Sequence, residues 1–139
     1  MTEISKATFR FVNFFVRESH IILNDTGEFK IDVNLTPKGT VLKSLNQFHL
    51  ELAVNIKEAT GKFEISILSV AIFEFEENAD LEQYMSSWFT INAPAIAFPY
   101  IRAYISNLTA QSGPFTVTLP TFNLSAIGTE LKANITVSE

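Results

Sequence analysis

FHLELAVNIKEATGKFEISILSVAIFEF, residues 48–75, reads as two strands joined by a tight turn. Phe48, Leu50, Leu52, Val54 and Ile56 alternate with His49, Glu51, Asn55 and Lys57, the period-two pattern of a half-buried strand. Glu58-Ala59-Thr60-Gly61 supplies the turn, and Phe63, Ile65 and Ile67 lead back with Lys62, Glu64 and Ser66 on the polar face. So short a connection between alternating runs implies antiparallel pairing. From residue 68 the returning strand changes character. Leu68, Val70 and Ile72 are apolar on one parity, and Ala71, Phe73 and Phe75 on the other. One face covers the core; the second is expected to pack against the sheet of another subunit rather than under a helix of its own chain.

Working outward, residues 9–17 carry apolar side chains on both parities, with Phe9, Phe11 and Phe15 on one face and Val12, Phe14 and Val16 on the other. That pattern suits a strand covered on both sides. Phe29, Ile31, Val33 and Leu35 alternate with Lys30, Asp32, Asn34 and Thr36, and Pro37-Lys38-Gly39 is expected to end this strand. Downstream, the acidic run Glu74, Glu76, Glu77, Asp80 and Glu82 closes the sheet, with Asp80 a candidate N-cap. Ile96, Phe98, Ile101, Ile105 and Leu108 then follow helical spacing, with Tyr104 beside them and Pro99 placed in the first turn. Ser112-Gly113-Pro114 breaks the helix, residues 115–124 read as an extended apolar crossover containing Pro120, and Ser125 caps a short amphipathic helix through Ile127 and Leu131. Strands first and helices afterwards give an α+β fold. The reading is one domain over residues 1–139: a four-stranded antiparallel sheet, a long helix, an extended crossover and a short second helix.

The chemistry is as informative for what is missing. Charged residues make up 18% of the chain, below the roughly 25% of an average globular protein. Thirteen Phe, three Tyr and one Trp give more apolar surface than one small core hides, so part of it is expected to face a partner or client. A net charge of -5 with no basic stripe argues against nucleic acid. Cysteine is absent, which removes thiol catalysis and thiolate metal sites. His20 and His49, the two histidines, lie on different strands without ligand spacing, and no phosphate loop, nucleophile elbow or zinc motif occurs. The expectation is therefore no enzyme, no catalytic residue, no metal and no cofactor. Neither a signal-length apolar core at the N-terminus nor a membrane-length apolar run is present, so a cytoplasmic protein without membrane insertion is expected. Trp88, Phe89, Phe98, Tyr100, Tyr104, Phe115, Leu119, Phe122 and Leu124 are the candidates to line an apolar groove. The occupant is either an extended polypeptide or a small hydrophobic ligand held between helix and sheet.

Residues 95–106, AIAFPYIRAYIS, resemble the Phe-Pro-Tyr helix-opening signature of the SecB export chaperones. Gly113, the crossover ending in Leu119-Pro120, and Phe122-Asn123 are similar to that family too, as is the opening strand over residues 9–18 less closely. The resemblance covers roughly residues 5–131. It implies subunits paired through the fourth strand and assembled as a dimer of dimers, with Ile65, Ile67, Ser69 and Ala71 on the interface strand. It also implies ATP-independent binding of unfolded or precursor polypeptides and their delivery to the SecA motor. Glu18 keeps one position of the family's acidic docking patch, whereas Ile22 and Ser66 stand where other acids are expected. A relative serving other clients, such as a chaperone dedicated to an antitoxin, fits the same residues. With the sequence running only to Ala133-Asn134-Ile135-Thr136-Val137 and two further residues, the long polar tail that the resemblance implies is not expected.

Overall fold

The computed structural model describes residues 9–24, 30–112 and 116–138. Strands β1 (Phe9–Leu23), β2 (Ile31–Leu42), β3 (Gln47–Glu58) and β4 (Phe63–Phe75) come first, followed by helices α1 (Leu81–Tyr84), α2 (Ser87–Ser112) and α3 (Leu124–Ala133), and a last strand β5 (Ile135–Ser138). The sheet runs β1-β4-β3-β2-β5. The four long strands pair antiparallel, as their short turns require. The expected four-stranded sheet thus has a fifth member, four residues of β5 pairing parallel to β2 from Gly39 to Leu42.

One layer of helix covers one face of this sheet. Phe48, Leu50, Leu52, Val54 and Ile56 of β3 and Phe63, Ile65, Ile67, Ala71 and Phe73 of β4 are buried beneath Phe89, Ala93, Ala97, Ile101 and Ile105 of α2. Burying a large side chain of this kind is worth about 1.5–3 kcal/mol, so this interlayer carries the fold. At its centre the Phe89 ring meets Phe9, Phe48, Phe73 and Phe75 edge-on, with centroids 4.9, 4.8, 5.6 and 4.7 Å away.

Local details depart from simple alternation, each for a physical reason. β1 slips register against β4 at Val12 and again at Arg17. The first bulge inserts a residue and flips the faces, so Phe14 and Val16 join Phe9 and Phe11 toward the core while Phe15 turns outward, contrary to the strict two-residue period. Pro37 does not end β2, which runs on to Leu42. It sits where β2 is still a sheet edge, because β5 joins only at Gly39, and an edge tolerates a residue with no N–H. Gly39 is required by packing: a Cβ there would lie 2.3 Å from Cζ of the buried Phe48 ring.

The helices show the same mixture. Asp80 caps α1 through a capping box, its carboxylate accepting from the Gln83 N–H at 3.1 Å while Gln83 Oε1 accepts from the Asp80 N–H at 2.7 Å. Pro99 lies deep inside α2, as does Pro94, since the helix begins at Ser87 instead of near residue 96. The cap of α3 is Asn123, whose Oδ1 accepts from the Ser125 and Ala126 N–H groups, so Ser125 is the second helical residue and not the cap. Phe29, Gly113 and Pro114, to which strand and helix-break roles were assigned, lie outside the described residues.

Candidate functional site: the flanks of the long helix and the strand edges

The nine groove candidates separate into groups. Phe89 and Leu119 are sealed in the core and present no surface to a client. Phe115 lies outside the described residues. On the β1 flank of α2, Trp88 packs edge-on against Phe9 at 5.1 Å, and Tyr100 meets Phe11 and Phe14 at 5.0 and 5.5 Å while staying 47% exposed. Tyr104 follows Tyr100 by one helical turn and shares its flank. On the other flank Phe98 stacks edge-on with Phe122 at 5.5 Å, and Leu124 opens α3 half-buried. Two aromatic strips therefore line α2, where the sequence suggested a single groove.

Residues 116–123 run without regular structure, held beside α2 where the Val117 N–H donates to Thr109 Oγ1 at 2.8 Å and Ser106 Oγ donates to the Val117 carbonyl at 3.3 Å. Thr109 donates in turn to the Ile105 carbonyl, so its buried hydroxyl is fully used. Val117 and Leu119 are buried by this docking, which is why Leu119 closes the core. α3 packs on both α2 and β2 and carries the second strip toward that strand. Among the described residues β2 pairs with β5 only over residues 39–42, leaving its edge open over residues 31–38.

Ile65, Ile67, Ser69 and Ala71 all point into the core. Ser69 Oγ donates to the Leu52 carbonyl at 2.9 Å, satisfying the hydroxyl inside the layer. The single chain offers another subunit almost no surface at these four positions. The opposite parity of β4 is the accessible one. There Leu68 and Ile72 are half-buried, flanked on β1 by Val12 and Phe15, 44% and 37% exposed. Val70 between them is fully buried. Register places Val70 between Phe15 and Glu51, and the Arg17–Glu51 ion pair at 3.0 Å spans from β1 to β3 across it. The bulge at Arg17 lets the guanidinium make that reach, and its stem covers part of the second apolar face.

Glu18 is exposed on the same outer face, beside His20, Asn34, Thr36, Asn55 and Ser66, around a shallow hollow of about 310 Å³. Asn55 Nδ2 donates to Ser66 Oγ at 3.0 Å within it. Sequence reasoning singled out Glu18 and Ser66 but not the hollow, because its lining comes from four strands. His49 stands higher on this face, with Nε2 3.1 Å from Gln47 Oε1. Burial holds its pKa below 6.5, Arg17 pushes it the same way, and Glu51 partly opposes them. Among the described residues the buried Tyr84 hydroxyl has no hydrogen-bond partner, and burial raises its pKa above 10.0. Among the described residues no three His, Asp or Glu side chains gather as a metal site. No helix there is long and apolar enough to cross a membrane.

Comparison with known proteins gives this geometry a family. The model of the preprotein translocase subunit SecB family matches residues 3–133. A protein-export protein SecB of Anaplasma phagocytophilum is 28% identical over 111 residues, covering 72% of this chain and 70% of the relative. An uncharacterized protein of Methanocaldococcus jannaschii is 29% identical over 132 residues, 88% of this chain and 83% of the relative. Among solved structures, a SecB-like chaperone of Mycobacterium tuberculosis in complex with a ChAD peptide from the HigA1 antitoxin superposes with a TM-score of 0.70 at 14% identity, over 83% of this chain and 88% of that one. With a match over nearly the whole sequence and a sheet-and-helix architecture shared with that structure, the chain belongs to the SecB family.

Proposed function

We propose that the protein is an ATP-independent holdase that binds non-native polypeptides in extended form. The observation that carries this reading is the pair of aromatic strips on α2 together with the open edge of β2. Trp88, Phe98, Tyr100, Tyr104, Phe122 and Leu124 keep part of their surface accessible. A client laid there gains apolar burial at about 25 cal/mol per Å² before ordering costs. Among the described residues the outer-edge N–H and C=O groups of β2 over residues 31–38 have no strand partner, and apart from Pro37, which has no N–H to give, they add sequence-independent backbone pairing, the β-augmentation mode of peptide recognition. Aromatic surfaces that tolerate many shapes suit a client range better than a closed site does.

The small-ligand reading fares worse. It needs a cavity between α2 and the sheet, and the facing side chains there (Phe89, Ala93, Ala97, Ile101 and Ile105) are packed with no exposed surface.

The subunits are proposed to assemble as a dimer of dimers, using the apolar outer face around Phe15, Leu68 and Ile72. A multimer gives weakly bound segments a high effective concentration. Delivery of precursors to SecA would use the outer face at Glu18, where Ile22 and Ser66 leave the acidic patch thin. Service to a dedicated client is the narrower version of the same reading, supported by the antitoxin peptide bound to the M. tuberculosis relative.

The test is aggregation of a chemically denatured, unrelated protein on dilution, with and without the purified chain and with no nucleotide present. Stoichiometric suppression is the expected result; light scattering that rises as in the control would sink the holdase reading.

A further inference from the structure

We propose that β5 is a displaceable strand that occupies part of the β2 edge and must leave for an extended client to take the whole of it. The inference rests on the holdase reading and adds a built-in competitor to it.

The edge of β2 already accepts one extended segment, β5 itself. It covers residues 39–42 and, among the described residues, leaves 31–38 open, a track of roughly 26 Å that would grow to about 40 Å with β5 removed, lacking one edge donor at Pro37.

β5 is held weakly. It is four residues long and pairs parallel, the less stable arrangement per residue. Thr136, Val137 and Ser138 are exposed, Val137 by 41%, and only Ile135 tucks against the core. Its side-chain bonds are long: Thr40 Oγ1 to Thr136 Oγ1 at 3.4 Å, and Thr136 Oγ1 to the Gly39 carbonyl at 3.5 Å.

The attachment upstream is firmer. The Asn134 N–H donates to the Leu131 carbonyl at 2.8 Å, and the Gly39 N–H donates to the Asn134 carbonyl at 3.1 Å. Release therefore hinges at Asn134 and leaves α3 docked. Segments with few buried contacts open at low free energy, and a site open only part of the time binds with its affinity reduced by the open fraction.

The absence of cysteine allows a clean test. Thr40 and Thr136 are direct register partners, so the double variant Thr40→Cys/Thr136→Cys can lock β5 in place by a disulfide. Binding of a fluorescently labelled, permanently unfolded alkylated polypeptide is measured with the lock oxidised and then reduced. The oxidised form is expected to bind at least about fivefold more weakly, with recovery on reduction.

A second variant, Thr136→Pro, removes a β5 N–H and is expected to bind at least as tightly as the unmodified chain. Adding the polypeptide to the unmodified chain should also speed amide exchange in residues 135–138. Equal binding by the oxidised and reduced forms, with wild-type affinity, overturns the displacement and leaves the holdase reading intact. No binding by the unmodified chain removes the holdase reading and the displacement with it.

Discussion

His49 shows how a single side chain senses its face of the sheet. Burial is the largest influence on its pKa and Arg17 the next, and both disfavour the imidazolium. Its folded pKa thus lies below 6.5, and between that value and 6.5 the unfolded chain binds more protons than the folded one. The His49 contribution to stability is therefore intact above pH 6.5 and is lost as pH falls toward the folded pKa. Glu58, whose carboxylate is held below 4.5 chiefly by the Thr60 hydroxyl, acts only at lower pH and leaves this window clear. Urea midpoints at pH 7.5 and 5.5 should drop more for the unmodified chain than for His49→Gln; an identical drop would show that His49 does not control that range.

Among the elements, the crossing of α2 and α3 depends on two residues that are poor helix formers. Pro94 has no N–H, so the Thr90 carbonyl loses its ordinary helical partner. Gly128 of α3 lies over that point: a Cβ on it would be 3.0 Å from the Thr90 oxygen, 2.9 Å from Ile91 Cγ1 and 3.2 Å from Ile91 Cα. Backbone atoms at that distance have little room to yield. An unconstrained glycine within a helix gains about 0.5–1 kcal/mol when changed to alanine. Gly128→Ala is expected to go the other way, losing about 1–3 kcal/mol through overpacking, read as a lower urea midpoint with unchanged slope. A raised midpoint would mean that the helices separate easily.

For the whole molecule, the question is what covers the second apolar face. Arg17 and Phe15 shelter Val70, but Val12, Leu68, Ile72 and Phe15 itself still form a partly exposed patch, with the Arg10–Glu74 ion pair at one end. Both ion pairs are solvent-exposed and contribute less than about 1 kcal/mol each, so they frame the patch without closing it. If subunits meet there, Phe15→Lys should lower the mass measured by light scattering while leaving the fold intact, because the side chain already points outward. An unchanged oligomeric mass would move the contact elsewhere, the β1 edge being next.

Much of this was legible in residues alone. The alternation in residues 48–56 and 63–67 placed β3 and β4 and chose their buried faces, because side-chain period is a property of the strand itself. The Asp80 cap was readable too, since the residues that complete it lie three apart. The order of strands before helices implied the α+β class, and the Phe-Pro-Tyr stretch with its crossover pointed to the family.

Only the tertiary structure decided the rest. Phe15 faces out because pairing with β4 forces a bulge at Val12, and bulges belong to a pair of strands. Phe89 and Leu119 left the candidate groove because the layers close over them, while Trp88 and Tyr100, no less apolar in sequence, lie on the rim. Residues 135–138 become a strand because α3 delivers them to the β2 edge, which four residues could not achieve alone. Local period says which side chains share a face; which face is covered, and by what, is settled only when distant segments pack.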